Sequence, residues 1–318
     1  MLYLSKNDID SVVELDEVIE IIEKAMKVYE SKQFTQPDRI TINRNEQETY
    51  LYMPCFTDEV KGTKMLTLFS ENAKKGIATI QGLMVLNDNE TGKIKCIMDG
   101  SAITAYRTGA VGSCGIKHTT PENVTKLGVI GSGVQGFYQS LYACSIRPIH
   151  DIYVFDIFEE KAKEFAKKLE DALPHVHIHV MDESVKVVQE AQVILTVTTS
   201  KKPVIPNDPA LIEGKHFIGI GSFKPIMQEY PEAVFKALDE VYIDVDFAKE
   251  ETGDLVNPLK EGWIQEEQVH TLGNYLDQEL DVNKTTLYKS VGMALFDIFV
   301  ANYIYEKAME ENIGTQLD

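Results

Sequence analysis

The chain has 318 residues, 44% hydrophobic and 25% charged, the make-up of an ordinary globular protein with room for two sizeable cores. Its formal net charge of −19 argues against polyanionic partners, so neither nucleic acid nor an anionic membrane surface is expected. Cys55, Cys96, Cys114 and Cys144 lie far apart with no C-x-x-C spacing, which fits reduced thiols, and no uncharged apolar run reaches membrane-spanning length.

The first ten residues show neither a basic n-region nor an apolar h-region, and a cytoplasmic location is the expectation. Ser5 with Asp8 reads as a capping box, and Asp16 as a second N-cap. Behind it Val18, Ile19, Ile22, Ala25, Met26 and Tyr29 recur at helical spacing, the mark of an amphipathic helix laid on a core. Strand-like segments follow at 39–44, 49–53, 63–69 and 81–86. A turn at Asn89-Glu90-Thr91-Gly92 then leads into 94–98. Asp99 or Ser101 is placed to cap a helix rich in small residues over 102–116, so the first 117 residues read as α+β with mostly antiparallel strands.

From Lys126 the pattern changes to strand–helix alternation, which specifies a parallel sheet with crossovers. Residues 127–130 form a short buried strand that runs into Gly131-Ser132-Gly133-Val134-Gln135-Gly136 and a helix over 137–146. A second strand over 152–155 ends on Asp156, twenty positions after Gly136. Gly131 permits the tight turn, Gly133 lets a pyrophosphate approach the backbone, and Gly136 lets helix and strand pack closely. The phosphates would rest on the free N–H groups of the helix N-terminus. Strand, glycines, helix, second strand and acid in this order make a dinucleotide site far more specific than a lone G-x-G-x-x-G.

Asp156 would accept hydrogen bonds from a ribose and repel a 2′-phosphate, and Ile157 and Phe158 supply no cation for that phosphate. NAD(H) is therefore favoured, with NADP(H) the alternative. His175, His177 and His179 alternate along a strand-like run and read as a solvated face, with no metal site assigned. Further buried strands are expected at 193–197, 217–220 and 241–245, whose following loops should line the ligand crevice. The last long element, 286–310, has helical periodicity and is expected to pack back on the N-terminal part.

With these pieces in place the sequence resembles the ornithine cyclodeaminase/mu-crystallin family nearly from end to end. The resemblance rests on Pro37-Asp38-Arg39, Met53-Pro54 with Lys64 ten residues later, and Ala78-Thr79-Ile80-Gln81-Gly82. It continues through Thr91-Gly92, Asp99-Gly100, Thr104-Ala105-Tyr106-Arg107-Thr108, Gly131 to Gln135, and Lys289-Ser290-Val291-Gly292. It implies an α/β protein whose Rossmann-type domain, doubly wound on a parallel sheet (121–289), is inserted into a split α+β domain (1–120 plus 290–318) that binds substrate and dimerises. It also implies chemistry between a nicotinamide and a small amino or imino acid.

By this resemblance Arg39, Lys64 and Arg107 form a cationic clamp for the substrate carboxylate, a task suited to the arginine fork, and Lys64 and Arg107 serve catalysis. Taken singly each could be a solvated surface cation. Arg107 differs because its helix is otherwise small and apolar, where an unpaired charge is costly. The family match also places Thr79, Arg107, Gly131, Ser132, Gly133, Val134, Gln135, Gly136, Asp156, Thr196, Val197, Ile220, Gly221 and Ser290 at the cofactor. Phe223 and Val291 fall at the substrate.

Two departures are informative. Ornithine cyclodeaminases carry an aspartate where this chain has Phe223, and a second acid where it has Leu51. Desolvating an ornithine ammonium against these side chains without a partner is unfavourable, whereas an apolar wall suits the ring of a cyclic imine. The leading expectation is reduction of Δ1-pyrroline-2-carboxylate to L-proline, or of Δ1-piperideine-2-carboxylate to L-pipecolate. The rivals are ornithine cyclodeaminase, an alanine dehydrogenase-like oxidoreductase, and a non-catalytic crystallin-like binding protein.

Overall fold

The computed structural model describes residues 1–72 and 74–318. In chain order the elements are β1 (Leu2–Leu4), α1 (Lys6–Val12), α2 (Leu15–Ser31), β2 (Ile40–Asn45), β3 (Glu48–Phe56), β4 (Lys61–Phe69), β5 (Ile80–Asn87), β6 (Ile94–Asp99) and α3 (Gly100–Thr119). There follow β7 (Lys126–Ile130), α4 (Val134–Ile146), β8 (Asp151–Phe155), α5 (Glu159–Ala172), β9 (His177–Val180), α6 (Ser184–Glu190), β10 (Val193–Thr196), α7 (Pro209–Ile212), β11 (His216–Gly219) and α8 (Glu232–Lys236). The remainder are β12 (Val241–Ile243), α9 (Ala248–Glu251), α10 (Gly253–Glu261), β13 (Val269–Thr271), β14 (Thr286–Lys289), α11 (Ala294–Glu311) and β15 (Thr315–Gln316).

The chain divides into two compact units, Met1–Arg107 with Met293–Asp318, and Thr108–Gly292. The division falls inside α3, thirteen residues before the 120/121 boundary taken from the sequence, and at 292/293 rather than 289/290. The distal half of α3 belongs with the second unit because its glycines admit no side chain. A Cβ on Gly109 would meet the Tyr142 ring at 2.4 Å, and one on Gly115 the Tyr288 ring at 2.2 Å.

In the first unit the sheet order is β15-β1-β6-β5-β4-β3-β2, antiparallel throughout except for the parallel pair β1–β6. The capping box is formed, with the Ser5 hydroxyl accepting from Asp8 N and Asp8 Oδ2 accepting from Ser5 N. Asp16 proves to lie in the first turn of α2 rather than at its N-cap, which is Glu14; there it still suits the positive end of the helix dipole. The apolar stripe of α2 is buried as its spacing requires. Asp99, not Ser101, caps α3, with its Oδ1 accepting from Ala102 N at 2.8 Å.

The second unit is built on one parallel sheet, ordered β13-β12-β14-β11-β10-β7-β8-β9. Every residue of β10, β11, β12 and β14 is buried, so both sheet faces are covered and the strands read as continuous apolar runs. Chain order runs outward from β7 to β8 and β9 on one side and from β10 to β11 on the other, where β14 then precedes β12 and β13, so the topological switch point falls between β7 and β10.

The region 286–310 is not one helix. Residues 286–289 form β14, inserted between β11 and β12, and a helix begins only at Ala294. A four-residue run buried on both faces has no period-two signature, and its flanking helix masked it. The helical part does pack on α2, within the first unit. β1 and β13 went unpredicted because three residues each are too few to show a period. His177 and His179 lie on the edge strand β9 and His175 precedes it. The His179 ring stacks on Tyr153 and its Nε2 lies 2.8 Å from Asp151 Oδ1. Among the described residues no helix is long and apolar enough to cross a membrane.

Candidate active site

In the first unit, cross-strand register puts Lys64 of β4 opposite Met53 and Met84, on the sheet face shared with Leu51 and Leu66. α11 packs over β3, β4 and β5 and brings Asp297 down onto this face from its first turn. Asp297 Oδ2 lies 2.5 Å from Lys64 Nζ, and its Oδ1 accepts from Arg107 Nε at 3.0 Å. Lys64, Arg107 and Asp297 are all buried, and Lys64 also reaches Thr104 Oγ1, one turn before Arg107, at 3.4 Å. Two cations thus share one carboxylate in a dry pocket, leaving a positive charge in excess, an arrangement suited to a second anion.

Burial pushes the Lys64 ammonium down to about 8, against the pull of Asp297 and with a push from Arg107 and the more distant Arg39. Arg39 itself is exposed. The structure therefore brings Arg39, Lys64 and Arg107 into one electrostatic neighbourhood and adds Asp297, which sequence reasoning missed. Its signal was present: a lone acid inside Ala294-Leu295-Phe296-Asp297-Ile298-Phe299-Val300 breaks an apolar run just as Arg107 does in its own helix. Thr79 lies half-buried before β5, and Leu51 is half-buried on β3.

In the second unit, the carboxyl ends of β7 and β10 flank a cleft of about 400 Å³. It is lined among others by Gly131, Ser132, Gly133, Asp156, Val197 and Thr198. Gly131 holds a φ of +109°, closed to side chains without strain, and a Cβ on Gly136 would sit 2.6 Å from Gly131 O. Above Gly133 nothing lies within 4 Å, and as N-cap of α4 it offers no capping side chain of its own. The first-turn N–H groups are thus left for an external acceptor, with Val134 and Gln135 in that turn.

Asp156 Oδ2 accepts from Ser132 N and Oγ, and Oδ1 from Phe158 N. Burial pushes its carboxyl up, but these donors outweigh that effect and hold it below the usual carboxylate range, so it is an anion at neutral pH. These residues fit the pyrophosphate and adenosine ribose of a dinucleotide. Replacing Asp156 by alanine is expected to lower the ratio of kcat/KM for NADH over NADPH about tenfold, since both the charge-assisted hydrogen bonds and the repulsion are lost. An unchanged ratio in initial-rate assays would remove the cofactor argument.

Beyond β10 and β11 lie the other expected cofactor residues. Thr196, Ile220 and Ser290 are buried, Val197 and Gly221 half-buried. Asp244 fixes the 289–292 loop: its carboxylate accepts from Ser290 Oγ at 2.7 Å, from Val291 N at 3.1 Å and from Gly292 N at 2.7 Å. Phe223 is half-buried, with Lys224 Nζ 5.6 Å from its ring centre. A buried acid unseen from the sequence, Glu229, lies under these loops. Burial pushes its carboxyl up, only partly offset by Lys289.

Comparison with known proteins agrees with this geometry. The sequence profile described as the ornithine cyclodeaminase/mu-crystallin family matches residues 1–312. Delta(1)-pyrroline-2-carboxylate reductase of Bacillus cereus is 34% identical, with 100% of both chains covered. The solved structure of Thermococcus litoralis Delta(1)-pyrroline-2-carboxylate reductase in complex with NADH and L-proline superposes with a TM-score of 0.92 at 29% identity, covering 100% of both chains. An archaeal alanine dehydrogenase dimer with bound NAD gives a TM-score of 0.90 at 28% identity, covering 100% of this chain and 99% of that one.

Proposed function

This chain belongs to the ornithine cyclodeaminase/mu-crystallin family, and we propose that it reduces a small cyclic imino acid, Δ1-pyrroline-2-carboxylate, to L-proline with NADH. The observation that carries this reading is the buried Lys64–Asp297–Arg107 trio on the sheet face that also carries Leu51, where cyclodeaminases hold an acid. Reductases of this activity among the relatives support it.

When bound, the cofactor would supply a hydride from C4 of its nicotinamide to the C=N carbon, the iminium form of the substrate bringing the nitrogen proton with it. The chain's own residues do the rest. Arg107, with Arg39 and the Lys64 ammonium, grips the substrate carboxylate and so fixes the carbon of the C=N bond for attack. Asp297 keeps Lys64 and Arg107 together without cancelling their combined charge. Leu51, on the same sheet face as Lys64, offers the ring a surface with no charge to desolvate, which disfavours a diamine. Asp244 holds Ser290 and Val291 in place. In this reading the first unit binds substrate and the second binds NAD(H).

We place a homodimer contact on the other face of the first sheet. There Ile40 and Ile42 are exposed, and Tyr50, Tyr52, Met65 and Leu83 surround a depression of about 370 Å³.

Stoichiometric loss of NADH absorbance with Δ1-pyrroline-2-carboxylate is the expected result. Ammonia release from ornithine with catalytic NAD and no net absorbance change would overturn the proposal in favour of a lyase. The Lys64 shift adds a sign. Its cation is present below about pH 8 and lost above it, so kcat/KM for the imino acid should fall as pH rises through about 8. A profile flat to pH 10 would remove Lys64 from the clamp.

A further inference from the structure

The reading above leaves Glu229 without a task, although it is fully buried and precedes α8, outside the glycine loop and the clamp. Its Oε1 accepts from Thr198 N at 2.8 Å and Thr198 Oγ1 at 2.7 Å. Its Oε2 accepts from Thr196 Oγ1 at 3.0 Å and Ser222 N at 3.1 Å. Thr196 and Thr198 belong to the carboxyl end of β10 and its loop, Ser222 to the loop after β11. One carboxylate therefore ties together two adjacent strand ends.

The packing around it leaves no slack. A Cβ on Gly221 would fall 2.2 Å from Thr198 O and 2.7 Å from Glu229 Oε1, so the two loops meet backbone to backbone. From beneath, Asp254 Oδ1 accepts from Glu229 N at 2.6 Å and from Tyr230 N at 3.2 Å. Lys289 Nζ, at the end of β14, lies 3.4 Å from Asp254 Oδ2.

The location of these strand ends gives the staple a role. If the adenosine ribose sits at Asp156, after β8, and the pyrophosphate at the loop after β7, the second nucleoside must extend over the ends of β10 and β11. We propose that Glu229 is a positioning residue for the nicotinamide half of the dinucleotide, acting through the Thr196–Thr198 and Gly221–Ser222 loops without touching the cofactor. The inference rests on the assignment of a dinucleotide to this crevice and assigns its second half.

Glu229→Gln is the informative substitution. Whichever way its amide turns, the NH₂ group faces a backbone N–H, of Thr198 or of Ser222, and neither can reverse direction. The Kd of NADH, from nicotinamide fluorescence, is expected to rise about tenfold, whereas the Kd of ADP, which lacks the second nucleoside, changes less than about twofold by calorimetry. A purely structural role would weaken both ligands in parallel or neither, and either outcome overturns the inference. Because a buried carboxylate exchanged for an amide can also cost folding, Glu229→Asp supplies a second comparison with the charge kept and the reach shortened by one methylene, with about threefold expected for NADH and no change for ADP. The titrations contain no imino acid, so an error in the substrate assignment would show in the turnover assay and leave these ratios unchanged.

Discussion

Replacing Asp297 by asparagine is expected to cost about 3–5 kcal/mol of stability, because it leaves Lys64 and Arg107 facing each other in a dry pocket with no counter-charge. An isosteric amide removes the charge without opening a cavity, so little of the loss can come from packing. The same variant should move the alkaline limb of the kcat/KM profile to lower pH. Asp297 is what holds the Lys64 ammonium up against burial, and without it the amine loses its proton sooner. Denaturant unfolding measures the first effect and a pH–rate profile the second. A stability change under 1 kcal/mol together with an unmoved limb would show that the trio is not an electrostatic unit.

Arg107→Met is the complementary experiment, since it removes the fork and leaves Lys64 and Asp297 as a neutral pair. Stability should suffer less than in the Asp297 variant, because no charge is stranded. Binding of the imino acid should weaken by about 2–5 kcal/mol, roughly 30-fold to several thousand-fold in KM, the cost of removing one partner from a desolvated charge pair. Arg107→Lys should recover only part of this, because an ammonium cannot meet a carboxylate with two parallel hydrogen bonds. The loss for the imino acid should exceed any loss in NADH affinity. A KM within threefold of the parent would take Arg107 out of the carboxylate clamp and favour a plain ion pair with Asp297.

The cost of the trio also bears on why it persists. A buried ion pair can be replaced by apolar residues at little cost to stability, so stability alone is a weak reason to keep three charged groups under a helix. An excess positive charge in a low-dielectric pocket is useful when an anion must be desolvated and held. The lowered affinity of Lys64 for its proton comes first from its burial, with a smaller push from Arg107.

What the sequence determined by itself is whatever depends on neighbours along the chain. The glycine turn at 131–136, the carboxylate twenty positions later, the Ser5 capping box and the amphipathic stripe of α2 are all local, since backbone conformation and helical period act over a few residues. The resemblance to relatives extended this reach to Arg39, Lys64 and Arg107. The tertiary structure alone decided which groups share a charge. Lys64, Arg107 and Asp297 stand on a strand, a helix and a distant second helix, and only packing of α11 over the sheet brings the last beside the other two. The insertion of β14 between β11 and β12, and the grip of Glu229 on Thr198 and Ser222, were hidden for the same reason. Hydrogen bonds and Coulomb attraction depend on distance in space, and a sequence records distance only along the chain.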